Sequence, residues 1–299
     1  MTELFAPHDD TPALGLFGLN GGELVPKPAE MLRLATLAEQ LGFESVWMGE
    51  HPVLPAHPGS DSPFPPAYPL SDPLIALSHV AAVTSRVRLA TGILTLPLHH
   101  PVLLAKQLAT LDHLSGGRVT VGFGMGYIPS QAAAFGIDFS TRAKRGIEHL
   151  EAAHAILASP ESAAYQGSFI DFGGRVESFP RAVQSTVDTV AGGHSRTAFR
   201  YALRYSHGWY GFGLRPEQVQ AARAQIEELA GTVQRPEHLG PLTVTVTPPR
   251  GVVSAEDAER YRRAGVHRLA VWPPANSDVE AFVRTQTAAL GLTGSGEGV

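Results

Sequence analysis

Residues 88–127 read RLATGILTLPLHHPVLLAKQLATLDHLSGGRVTVGFGMGY. The run 88–95 is apolar without alternation, as expected of a strand covered on both faces of a parallel sheet. From Pro101 to 114 apolar residues recur at helical spacing, and Gly116-Gly117 supplies a stop. Residues 118–122 form a second apolar run. One crossover unit, strand-helix-strand, is therefore complete within forty residues.

The same unit recurs on both sides. Upstream, 13–19 is a buried strand ended by Asn20-Gly21-Gly22. Pro28 opens a helix with Met31, Leu34, Leu37, Ala38 and Leu41 on one face, and 45–50 is a second strand. Residues 52–71 are too proline-rich for a helix or a central strand and read as a loop across one end of the sheet. Asp72-Pro73 then starts a helix. Downstream, a helix over 140–158 takes Ser140 or Thr141 as its cap, and 160–186 reads as an irregular insertion holding short antiparallel pieces. Strands follow at 187–191, 208–210, 242–247 and 267–272, with helices at 195–205, 216–229, 255–264 and 278–290. The end, 291–299, reads as a flexible tail.

About eight β-α units in 299 residues fit a single closed (β/α)₈ barrel with insertions, and a doubly wound open sheet is the alternative. The 43% hydrophobic and 17% charged composition is that of an ordinary globular chain, and no apolar run reaches the ~20 residues of a spanning helix. The N-terminus lacks a basic flank followed by an apolar segment, so a cytoplasmic protein without a membrane partner is expected. Cysteine is absent, which excludes disulfides, thiolate metal sites and a cysteine nucleophile. A net charge of −5 argues against nucleic acid as a partner.

In such a barrel the site lies at the C-terminal ends of the strands. That places Asn20, Glu50, His51, residues 92–95, 124–127 and 192–195, Trp209, Thr247 and Trp272 at the mouth. The set is poor in acid-base groups and rich in glycine and aromatics, which suits a flat cofactor better than side-chain hydrolysis. Gly192-Gly193-His194-Ser195, in about the sixth unit, exposes backbone N–H groups at a helix start and can hold a phosphate. An ordinary tight turn reads the same way. The spacing of Gly122, Gly124 and Gly126 is not the dinucleotide fingerprint. His51 is either a packing residue or a proton donor. His99-His100 has no carboxylate at ligand spacing, so no metal is expected. Arg142, Lys144 and Arg145 are a solvated face or a contact for an anionic tail.

These residues resemble the bacterial luciferase-like flavin and deazaflavin oxidoreductases. The similarity runs from Leu14 to about Gly211 and rests on LAEQLGFESVWMGEH, the stretch from Asp72 to Tyr127, FGIDFSTRAKRGIEHLEA, AGGHS and HGWYGFG. It implies a (β/α)₈ barrel, usually a homodimer, that holds either coenzyme F420 or flavin mononucleotide (FMN), with F420 favoured by HPVLLAKQLATLDHLSGGR and GGHS. It implies that Glu50 and His51 are the acid-histidine pair, with His51 the proton donor, and that Asn20 lies in the cofactor site. Gly92-Ile93 falls where the family often has a non-prolyl cis peptide behind the ring. Gly124, Met125 and Gly126 match the loop beside the cofactor chain, and Gly192, Gly193, His194 and Ser195 match the phosphate turn.

There are departures. Tyr127 stands where tryptophan is common, Gln131 where glutamate is common, and Ser185-Thr186 replaces a proline-rich segment. With a neutral amide at 131, acid-base work falls to Glu50 and His51. The expected activity is a reductase passing hydride from reduced F420 to a C=C, C=N or C=O bond of a small molecule. The alternatives are an FMN-dependent monooxygenase, a non-catalytic cofactor carrier and, last, a metal-dependent hydrolase.

Overall fold

The structure, a computed structural model, describes residues 3–8, 10–56, 62, 64–159 and 161–292. Residues 57–61 and 63 of the proline-rich insertion, and 293–299 of the expected tail, lie outside the described residues. In chain order the elements are β1 (Ala13–Phe17), α1 (Pro28–Gln40), β2 (Ser45–Met48), α2 (Pro73–Ala81), β3 (Arg88–Thr91), β4 (Leu94–Thr95), α3 (Pro101–Ser115) and β5 (Val119–Gly124). Next come α4 (Pro129–Ala134), α5 (Arg142–Ala158), β6 (Ala163–Gln166), β7 (Asp171–Val176), β8 (Asp188–Gly192) and α6 (Arg196–Tyr205). The last are β9 (Gly208–Phe212), α7 (Pro216–Ala230), β10 (Thr243–Thr247), α8 (Ala255–Arg263), β11 (Arg268–Val271) and α9 (Val279–Ala289).

Neighbouring strands of the main sheet are parallel, and the β3–β5 pairing closes the ring into a (β/α)₈ barrel, so the open-sheet alternative is excluded. Among the described residues no helix is long and apolar enough to cross a membrane. β6 and β7 form an antiparallel pair outside the barrel. Because they are not barrel strands, the Gly192-Gly193 turn leaves the fifth barrel strand, not the sixth.

The strand expected over 88–95 is interrupted. β3 pairs Leu89 with Val119, and β4 pairs Leu94 with Phe123, so one extra residue sits between them on this strand. That is the signature of a bulge. It falls at Gly92-Ile93, whose peptide bond is cis.

The apolar positions divide into two layers. Leu14, Leu16, Val46, Leu89, Val121, Val244 and Leu269 point outward against helix faces such as Leu34, Leu77 and Leu108. Phe17, Trp47, Ala90, Val190, Tyr210 and Ala270 pack inside the barrel. Alternation along each strand is what feeds both layers. Trp47 stacks on Tyr210 at 5.3 Å, and Gly15 is bare because a Cβ there would meet Trp47 and the Ser45 hydroxyl within 3 Å. Asp72 caps α2 by accepting from Ile75 N. Thr141 stands at the N-cap of α5 as expected, but its side chain makes no capping hydrogen bond. Asp138 accepts from Ser140 N and organises a short turn, after which α5 begins at Arg142.

Candidate functional site

Three constructions meet at the C-terminal ends of the strands. The first is the bulge. Gly92 N donates to Met48 O at 2.7 Å, and a Cβ on Gly92 would lie 2.9 Å from the Phe17 ring. The Ile93 side chain occupies the room left by two other glycines. A Cβ on Gly124 would come within 2.2 Å of Ile93 Cδ1, and one on Gly192 within 2.9 Å of Ile93 Cγ2. These glycines are therefore explained by the bulge itself. Ile93 remains partly exposed, an apolar ledge over the barrel interior.

Glu50 holds this ledge from behind. It is buried, and its Oε2 accepts from Thr95 N at 2.7 Å while Oε1 meets His99 Nε2 at 2.8 Å. Burial opposes charge on His99, but the Glu50 hydrogen bond and carboxylate outweigh it and push the imidazole up. Both Glu50 oxygens are thus committed to the loop after the bulge, and Glu50 and His51, adjacent in sequence, make no hydrogen bond with each other. The partner of Glu50 was not legible in the sequence: His99 is 49 residues away and marked only by its place after Leu96-Pro97-Leu98.

The second construction surrounds His51. Its Nδ1 lies 2.9 Å from Gln131 Nε2, and the same amide nitrogen donates to Val53 O. The rings of Phe64 and Tyr127 stand edge-on to the imidazole at 5.3 and 6.1 Å. Burial pushes the His51 imidazole down. No hydrogen bond reaches His51 Nε2 among the described residues. Asn20 ties the neighbouring strand ends together, its Nδ2 donating to Gly49 O and Ser71 O, both at 2.8 Å. Its buried Oδ1 has no partner among the described residues.

The third is the turn after β8. Gly193 has φ +124, a conformation that favours glycine, and its carbonyl accepts from Trp209 Nε1 at 2.9 Å. His194 Nε2 accepts from Phe212 N, and Ser195 caps α6 by accepting from Ala198 N at 3.2 Å. The first N–H groups of a helix have no partner within it and attract anions. Trp209, expected at the mouth, packs instead behind this turn on Phe199, and Tyr210 takes the inward position. Gly126, at φ +74, gives its carbonyl to Arg142 Nε at 3.2 Å. Met125 fills the space at Gly146. Lys144 donates to the Ser168 hydroxyl, and Arg145 lies over the Phe169 ring.

Phe17, Phe212 and Trp272 form a mutual aromatic cluster with centroids 5.2–5.4 Å apart. Beside it opens a cavity of about 360 Å³ lined by Gly18, Lys27, Tyr68, Arg250 and Trp272 among others. Among the described residues, no group of three or more His, Asp or Glu side chains is placed to hold a metal ion.

The sequence matches the luciferase-like monooxygenases over residues 5–292. The chain belongs to this family. An uncharacterised protein of Mycobacterium tuberculosis is 38% identical over 185 residues, 58% of this chain and 64% of the relative, so the chain spans just under two thirds of that relative's length. The 4-hydroxyprotoasukamycin monooxygenase of Streptomyces nodosus subsp. asukaensis is 29% identical over 266 residues, covering 84% of this chain and 68% of the enzyme. Among solved structures, an F420-dependent secondary alcohol dehydrogenase in complex with an F420-acetone adduct superposes with a TM-score of 0.77 at 15% identity, over 95% of this chain and 99% of the other. At that identity the likeness is one of fold. The family is one of oxidoreductases and monooxygenases.

Proposed function

We propose that this enzyme is an F420-dependent reductase that adds hydride to a C=C, C=N or C=O bond of a small organic molecule. The observation that carries the reading is the economy of the mouth. Glu50 is fully committed to Thr95 and His99, which leaves His51 with the uncommitted ring nitrogen. Among the described residues, a mouth with few free proton-handling side chains and no activated nucleophile suits a reaction whose other half comes from a cofactor.

The residues fit such a group. Ile93 offers an apolar ledge for a flat ring, and the buried Asn20 Oδ1 is an acceptor in want of an N–H donor. Gly192, Gly193, His194 and Ser195 would hold a phosphate at the start of α6, with Gly124, Met125 and Gly126 along the connecting chain. Reduced deazaflavin, when bound, supplies the hydride. His51, or a water it orients, supplies the proton. The aromatic cluster and Tyr68 wall the site, and the cavity beside Trp272 admits the substrate.

The monooxygenase name of the Streptomyces relative supports a second reading, an FMN enzyme that uses dioxygen. Titration of the purified protein with each cofactor, followed by absorbance, separates the two. Micromolar binding of F420 with indifference to FMN is expected, and the reverse preference, with substrate-coupled oxygen uptake, would overturn the reductase reading. A homodimer is proposed as well, supported by Ile75, Leu103 and Leu114, which stand exposed on the adjacent helices α2 and α3.

A further inference from the structure

We infer that Gln131 is a positioning residue that fixes His51 as the neutral tautomer with its proton on Nε2, so that the ring offers the mouth a hydrogen-bond donor. The inference deepens the proposed function and rests on it only for the role of the mouth. The Val53 carbonyl can only accept, so the Gln131 atom facing it must be the amide nitrogen. That contact settles the orientation of the amide group. The same nitrogen lies 2.9 Å from His51 Nδ1, and its second hydrogen points there. Nδ1 must then accept, and a neutral imidazole that accepts at Nδ1 carries its proton at Nε2.

Gln131 is buried in the first turn of α4, so the arrangement is built in and not a surface accident. Among the described residues no acid hydrogen-bonds the ring, and the Glu50 charge acts on it only through space. The Glu50 carboxylate is turned to Thr95 and His99, Phe64 is apolar, and the Tyr127 hydroxyl, a phenol, stays protonated near neutral pH. A glutamate at 131 would do the opposite: it would draw a proton to Nδ1 and make the ring a cation.

The consequence concerns how the proton is delivered. With Nδ1 occupied by an N–H donor, His51 does not readily become imidazolium, so of the two proton sources, the ring itself and a water it orients, the geometry selects the water. Were a bound cofactor to supply hydride to one carbon of the reacting double bond, the π pair would move to the partner atom. That atom takes the Nε2–H hydrogen bond, and its proton comes from water. A substrate with an acceptor atom in the reacting bond, C=O or C=N, fits this donor better than an isolated C=C.

The test is a two-bond ¹H–¹⁵N correlation spectrum of the uniformly labelled cofactor-free protein near neutral pH. His51→Phe identifies the signal among the thirteen histidines. The expected spectrum shows His51 with protonated Nε2 and bare Nδ1. In Gln131→Glu both nitrogens should be protonated and the titration midpoint raised by about one to two pH units. In Gln131→Met the two tautomers should exchange, which serves if the glutamate variant does not fold. An Nδ1–H or imidazolium spectrum in the unmodified protein, or no response to either substitution, would overturn the inference. Because no cofactor is present, a failed F420 titration beside the expected spectrum would count against the proposed function and not against the role of Gln131.

Discussion

The two ends of the barrel are built from similar residues and differ in how completely those residues are satisfied. At the base, Arg268 makes paired contacts with Glu44 at 2.8 and 2.9 Å, and Arg88 reaches the Thr120 hydroxyl and Asp188. Arg118 donates to the carbonyls of Ala81, Thr84, Val87 and Ser115. Glu39 accepts the N–H groups of Ser85, Arg86 and Val87. At the mouth, Asn20 Oδ1 and His51 Nε2 lack partners among the described residues, and a run of glycines makes room for one isoleucine. A buried polar group is costly unless paired. Around Glu39, Arg88, Arg118 and Arg268 this saturation reads as stability, although Arg223 Nε at the same end is buried without a partner among the described residues; the open groups at the mouth read as a place kept for something else. Residue type alone does not mark the site, since Glu50 at the mouth is as fully engaged as Glu39 at the base.

The largest expected effect comes from breaking the support of the mouth without touching a polar group. A Cβ on Gly122 would lie 2.0 Å from the Thr91 carbonyl oxygen, a backbone atom that cannot rotate away. Gly122→Ala should lower unfolding free energy by about 3 kcal/mol or more in urea denaturation, at the upper end of overpacking effects. Gly124→Ala meets the tip of a side chain, Ile93 Cδ1, and should cost clearly less. Equal stabilities for the two variants would mean that the bulge does not constrain this strand.

The barrel was legible because eight buried strands and their helices announce themselves by periodicity, and the bulge because the resemblance placed it. What could not be read depends on contacts across the ring. The phase of Trp209-Tyr210 is one case, since two adjacent aromatics leave open which faces inward. The work of Gly124 and Gly192 is another, because Ile93 reaches them from a different strand. The Asp138 cap was obscured by the two hydroxyl residues that follow it. Glu50 looked like a partner of His51 by adjacency, but neighbours on an extended segment point to opposite sides. Gln131 reads in the sequence as a neutral substitution, and its role depends on the Val53 carbonyl that the fold places beside it.

A smaller effect sharpens the reading of the base. Burial works against charge on Glu39, but the N–H groups of Val87, Arg86 and Ser85 outweigh it and hold the carboxyl below its ordinary range. A depressed folded-state pKa adds stability above the unfolded value, and that stability is lost as pH falls through the folded one. Glu39→Gln should therefore cost about 1–2 kcal/mol near neutral pH, with the gap to the unmodified protein closing below about pH 4. Cofactor affinity at neutral pH should not move. A gap independent of pH would show that the Glu39 charge is not what holds the turn.

The smallest effect on stability is also the one that separates structural from functional work within a single residue. Ser195 caps α6, and the same hydroxyl can donate to a phosphate at that helix start. Ser195→Ala removes both roles and should cost about 1 kcal/mol of stability and roughly tenfold in cofactor affinity. Ser195→Asp keeps an acceptor at the cap, so stability should stay within about 0.5 kcal/mol of the unmodified protein. Its charge would repel a phosphate from the same N–H groups, and cofactor binding should fall further than in the alanine variant. If the aspartate variant binds cofactor as well as the serine protein, the turn is a helix cap and nothing more, and the anionic end of the ligand must lie elsewhere on the mouth.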